Sequence, residues 1–149
     1  MVTEFESASA IDTYDLGCEL GKKALPGEVY TLNGDLGAGK TVFAQGFAKG
    51  LGITDNVNSP TFTILQIYDK GRLTLYHFDV YRIADSSEMD EIGFDEYVYS
   101  DGVCLIEWAE YIEDILPEGY IRVDIKKDPE KGFDIRHITI DRPESKVND

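Results

Sequence analysis

A chain of 149 residues, 42% of them hydrophobic, is long enough for one sizeable core and too short for two, so residues 1–149 are expected to form one domain. Asp and Glu number 29 against 14 Lys and Arg, and the formal charge of -15 repels phosphodiester backbones, which excludes extended nucleic-acid contact by this chain alone. For most of those acids, solubility is reason enough.

The first stretch, MVTEFESASAIDTYD, is acidic and lacks the apolar run of a leader, and nowhere do about eighteen apolar residues follow one another. A cytoplasmic location is expected. Residues 9–25 read as a helix with Ile11, Tyr14, Cys18 and Leu25 on one face, stopped by Pro26 and Gly27. Cys18 and Cys104 each sit among apolar neighbours with no Cys or His cluster beside them, so both read as buried thiols of a reducing compartment.

Residues 29–32 form an apolar strand that runs straight into Gly34, Asp35, Leu36, Gly37, Ala38, Gly39, Lys40 and Thr41, which fit the phosphate-loop pattern G-x-x-x-x-G-K-[ST] without a mismatch. Glycines let the backbone fold back so that several N–H groups point at one oxyanion, and side chains there would fill the space a phosphate needs. Lys40 supplies a point charge for the β- and γ-phosphates, and the Thr41 hydroxyl is placed to ligate Mg²⁺. Val42, Phe43, Phe47 and Ala48 recur at helical spacing over residues 41–49, so the loop opens a helix whose N-terminal dipole adds to the anion site.

Gly50 and Gly52 end that helix, and residues 56–61 (NVNSPT) read as a loop. Residues 62–68 and 73–78 are β-type runs separated by Asp69, Lys70, Gly71 and Arg72, too short a link for a helical crossover, so they pair antiparallel. Residues 84–99 carry a capping pattern at Ser86, Ser87 and Glu88 and then two short helices about Gly93. After a turn at Asp101 and Gly102, residues 103–106 (VCLI) form a strand buried on both faces, and residues 109–115 add a short helix. Residues 120–125 and 133–140 alternate apolar and polar around a Pro-Gly turn as a second hairpin, and 142–149 read as a frayed polar tail.

A bound triphosphate with Mg²⁺ needs a carboxylate at the metal's water shell and a group to orient the attacking water. Asp79 and Glu107 each close an apolar strand, and in an α/β sheet ligands collect at such carboxyl ends. His77, inside an apolar strand, reads as a satisfied structural residue rather than a proton carrier. Thr61 lies where a switch-loop threonine would meet a γ-phosphate. Spacing alone does not decide whether Trp108, Arg82 and Arg136 belong to the site.

In that order and at those separations, GDLGAGKT (34–41), SPTFT (59–63), HFDVYR (77–82) and LIEW (105–108) resemble the bacterial TsaE family, formerly YjeE, of P-loop ATPases. The resemblance spans nearly the whole chain and implies an α/β, P-loop NTPase-like three-layer fold with a mixed, partly antiparallel sheet. It implies an ATPase using ATP and Mg²⁺ that acts with TsaB and TsaD in making N6-threonylcarbamoyladenosine at position 37 of tRNAs decoding ANN codons, its hydrolysis resetting that complex. It places the phosphate and Mg²⁺ residues on Lys40 and Thr41, the switch-like threonine on Thr61, the metal and water acids on Asp79 and Glu107, and a neighbouring tryptophan on Trp108. A nucleotide-contacting arginine falls on Arg136, and an adenine-side segment on residues 7–10. Ala109 and Val80 depart from the usual residues without touching this chemistry. Two other readings stand beside it: a small-molecule kinase, disfavoured by five arginines and no basic lid, and a nucleotide-dependent binding module.

Overall fold

Strands apolar on both faces need cover on both sides, and two such strands lie at the centre of this protein. The computed structural model describes residues 1–34, 38–57 and 64–143. Seven strands, β1 (Val2–Ser7), β2 (Val29–Gly34), β3 (Leu65–Tyr68), β4 (Leu75–Asp79), β5 (Val103–Glu107), β6 (Ile121–Lys127) and β7 (Arg136–Asp141), form one sheet in the order β1-β7-β6-β2-β5-β4-β3. β2 runs parallel to β5 and β6, and β5 parallel to β4. β3 on β4, β7 on β6 and β1 on β7 are antiparallel. The mixed sheet expected from the two short turns is the one observed.

Helices α1 (Ala10–Lys23) and α2 (Lys40–Gly50) cover one face, over Tyr30, Leu32, Leu75, Leu105 and Val123. The other face packs Phe78, Cys104 and Ile106 under α3 (Glu88–Glu91), α4 (Phe94–Val98) and a 3₁₀ helix, Ala109–Ile115. The result is three layers. Among the described residues no helix is long and apolar enough to cross a membrane. Glu88 accepts from the backbone N–H groups of Ala84 and Asp85, and Asp85 from that of Ser87, so Asp85 rather than either serine caps this turn.

Some expectations from sequence are corrected. The inner face of α1 is Thr13, Gly17, Leu20 and Gly21, whereas Ile11 and Leu25 are 70% and 61% exposed. The reason is glycine: α1 and α2 approach backbone to backbone, and a Cβ on Gly17, Gly21 or Gly46 would be driven into the carbonyl oxygens of Phe43, Phe47 or Tyr14. A contact through missing side chains leaves no apolar stripe to read. Cys18 is only half-buried, while Cys104 is buried, its thiol pushed up to about 12 by desolvation. The expected fraying does not begin at Arg142, which donates to Glu28 Oε2 (3.4 Å) and the Tyr30 hydroxyl (3.3 Å); residues 144–149 lie outside the described set.

Gly46→Ala should test the helix contact. Alanine favours an exposed helix interior by about 1 kcal/mol over glycine, yet the clash with the Tyr14 carbonyl should reverse that to a net loss of about 1–3 kcal/mol. Urea unfolding that finds the variant more stable would mean the helices are not in backbone contact.

Candidate active site

β2 ends at Gly34, where a Cβ would stand 2.7 Å from the Ile125 carbonyl oxygen of β6, so the strand leaves the sheet at a position only glycine fills. Asp35, Leu36 and Gly37, three loop positions expected to hold phosphate, lie outside the described residues, as does Thr61. The chain re-enters at Ala38, buried, and Gly39, whose φ of 107° caps the first turn of α2. Lys40 and Thr41 follow within that turn, beside N–H groups that have no partner inside the helix. The Arg136 Nε donates to the Ala38 carbonyl (3.1 Å), and its Nη1 donates to the Phe133 and Ile135 carbonyls (2.9 and 3.1 Å). Arg136 thus ties the loop exit to β7.

Strand register decides which acids face this loop. Leu32 is the partner of Glu107, and Glu107 the partner of Asp79, so β2, β5 and β4 end level and present both carboxylates at the carboxyl edge of the sheet. Asp79 is half-buried and accepts the Tyr81 N–H at 3.1 Å. Burial raises its pKa above 3.8, and the neighbouring Glu107 charge pushes the same way. Glu107 is 2% exposed, and its Oε2 lies 2.7 Å from His77 Nε2. His77 is therefore only partly satisfied: it is fully buried, and its Nδ1 has no hydrogen-bond partner among the described residues.

Trp108 holds φ 61°, the single positive φ outside glycine among the described residues, at a strain of about 1–2 kcal/mol. That turn directs the indole back towards α2. Lys40 Nζ sits 3.9 Å from the ring centroid, a cation–π contact that holds the cation beside the carboxylates. Tyr81 and Tyr111 pack on the same indole at 4.8 and 6.1 Å. Arg82 is exposed and makes no described bond to the site.

Beside the loop exit, Ser9, Ala10, Thr13, Ala38, Gly39, Val42, Asp134 and Arg136 line an open cleft of about 190 Å³. Ser9 caps α1 through the Asp12 N–H, and Ser7, at the end of β1, donates to the Ser9 carbonyl (2.8 Å) and sits 2.7 Å from the Thr13 hydroxyl. These bonds fix the cleft wall. Thr13 and Asp134 went unnoticed in the sequence, because strand β1 that sets the wall carries no alternation: its first five residues are exposed.

The donor set fits Mg²⁺. Thr41 and Asp79 offer hard oxygen ligands, and a cation held by few protein groups with phosphate and water completing the octahedron is the habit of Mg²⁺. Among the described residues no group of three or more His, Cys, Asp or Glu side chains is placed to hold a metal ion.

The family model described as Threonylcarbamoyl adenosine biosynthesis protein TsaE matches residues 7–137. The Bacillus subtilis (strain 168) protein named tRNA threonylcarbamoyladenosine biosynthesis protein TsaE is 57% identical over 116 residues, 78% of this chain and 70% of that protein. The Treponema pallidum protein of the same name is 48% identical over 120 residues, covering 80% of this chain and 88% of that one. Among solved structures, the crystal structure of Bacillus subtilis YdiB matches with a TM-score of 0.81 at 43% identity, over 94% of this chain and 84% of that chain.

Two measurements probe this geometry without a ligand. Trp108 is the single tryptophan, so Lys40→Met, which removes the cation from its face, should change the emission spectrum; superimposable spectra would mean the contact is absent in solution. Asp79, with its raised pKa, binds its proton more readily folded than unfolded, so the ionised carboxylate opposes folding above that pKa and stops doing so below 3.8. Asp79→Asn should therefore raise the midpoint of thermal unfolding at neutral pH in metal-free buffer, and the gain should vanish in strong acid. A destabilised variant at neutral pH would contradict the burial argument.

Proposed function

This chain belongs to the TsaE family, and from that premise we propose that it is a Mg²⁺-dependent ATPase of tRNA threonylcarbamoyladenosine biosynthesis, working with TsaB and TsaD and resetting their complex by hydrolysis. The observation that supports the enzymatic part is the level ending of β2, β5 and β4, which brings Asp79 and Glu107 to one edge of the sheet, with the Lys40 charge acting on Asp79. A binding module needs the loop and the cation; it does not need a carboxylate as deeply buried as Glu107 at the same edge.

Residues 34–41 would wrap the phosphates with backbone N–H groups, with Lys40 leaving the Trp108 ring to meet the β- and γ-oxygens. Thr41 and Asp79 would hold Mg²⁺, which supplies charge neutralisation at the phosphoryl oxygens. Glu107 orients and deprotonates the attacking water, a role suited to a carboxylate shielded from solvent and fixed by a hydrogen bond. Thr61 would close over the γ-phosphate, and the cleft between Ser9 and Arg136 would take the nucleoside.

The charge of -15 makes direct tRNA binding unfavourable, so the link to RNA runs through the partner proteins. Hydrolysis drives a cycle only if the ATP and ADP states differ in affinity for those partners.

Glu107→Gln should lower ATP turnover by about 10²–10⁴-fold while calorimetry finds ATP affinity nearly unchanged. Lys40→Ala should weaken ATP binding by roughly 10- to 100-fold, the worth of one charge-assisted hydrogen bond. Wild-type turnover in Glu107→Gln would return the protein to the class of nucleotide-dependent binding modules. Pull-down of TsaB and TsaD that is indifferent to nucleotide would remove the resetting role.

A further inference from the structure

His77 is 0% exposed, in the middle of β4 on the face that also carries Leu75, a position where an aliphatic side chain would pack without any polar cost. Its Nε2 lies 2.7 Å from Glu107 Oε2, across the parallel β4–β5 pair, and its Nδ1 has no partner among the described residues. Three protonation states of the ring fit that distance. A charged imidazolium, or a neutral ring accepting from a protonated Glu107, each leaves Nδ1–H as a buried unpaired donor, a situation native proteins almost never tolerate. A neutral ring protonated on Nε2 leaves only an unpaired acceptor, which is far commoner. The ring therefore donates Nε2–H to Glu107 Oε2.

We propose that His77 is a positioning residue for Glu107: an imidazole Nε2–H donor that fixes the carboxyl group's orientation without placing a cation against it. Lys or Arg in that place would fix Glu107 equally well and neutralise it, lowering its basicity; a neutral donor keeps the anion able to accept a proton from water. This rests on the reading of Glu107 as the group that activates water.

The first test needs no nucleotide. Long-range ¹H–¹⁵N correlation spectra of the histidine rings, with two histidines in the chain and His137→Gln to assign them, should find His77 in the Nε2–H form; an Nδ1–H ring overturns the proposal. In single-turnover hydrolysis, His77→Leu should slow the chemical step by roughly 10- to 100-fold, with ATP affinity by calorimetry changed less than about threefold. His77→Gln, whose amide nitrogen can replace Nε2–H, should recover most of that rate. A Gln variant as slow as His77→Leu, or a Leu variant at wild-type rate, overturns it. If His77→Leu does not fold, the ring tautomer and the Gln variant decide: Gln turnover reduced to the level of Glu107→Gln overturns the proposal. Wild-type turnover in Glu107→Gln would instead overturn the reading of Glu107 itself, whatever the His77 variants do.

Discussion

Parallel register is the constraint on which the rest of the site depends. In a parallel sheet the strands' carboxyl ends gather on one edge, and here Leu32, Glu107 and Asp79 stand in one row across β2, β5 and β4. A slip of one residue in β5 would turn Glu107 to the opposite face, under α3 and α4, and put Ile106 beside the phosphate loop. Such a slip is resisted because Val103, Cys104, Leu105 and Ile106 are all buried, two packing on each face of the sheet. The core thus sets the position of an acid that contributes nothing to core packing.

Charge works against that arrangement. Asp79 and Glu107 are partners on adjacent strands, in a protein already carrying -15, and the raised pKa of Asp79 registers burial and that repulsion. Lys40 offsets part of it, and Trp108 holds Lys40 close by presenting its π face from a left-handed backbone position. Against these buried groups stands the well-packed layer that Tyr30 of β2 forms with Phe43 and Phe47 of α2. The pattern is two acids and one cation gathered at the carboxyl edge of the sheet.

The two flanks of the sheet serve different ends. β3 and β4 form a hairpin that sets Asp79 and leads into the Tyr81, Trp108 and Tyr111 cluster, while β7 and β1 bring Arg136 and Ser7 to the other side of the loop, where Ser7 meets Thr13 of α1. Both flanks are antiparallel, which lets short turns finish a sheet whose parallel centre is already covered.

The sequence by itself determined the helix that begins at Lys40, the two hairpins and the two strand-end acids, because each is written in neighbouring residues: apolar residues at helical spacing, a four-residue link, an apolar run closed by a carboxylate. It was silent on β1, an edge strand held by backbone pairing with β7, whose exposed side chains leave no alternation to read. It misassigned the inner face of α1, where glycines replace the apolar stripe. Only the tertiary structure decided that His77 meets Glu107, that Lys40 lies on Trp108 and that Arg136 grips Ala38. Those contacts join residues 30, 68 and 98 positions apart, and local propensity carries no information about strand order or register at such separations.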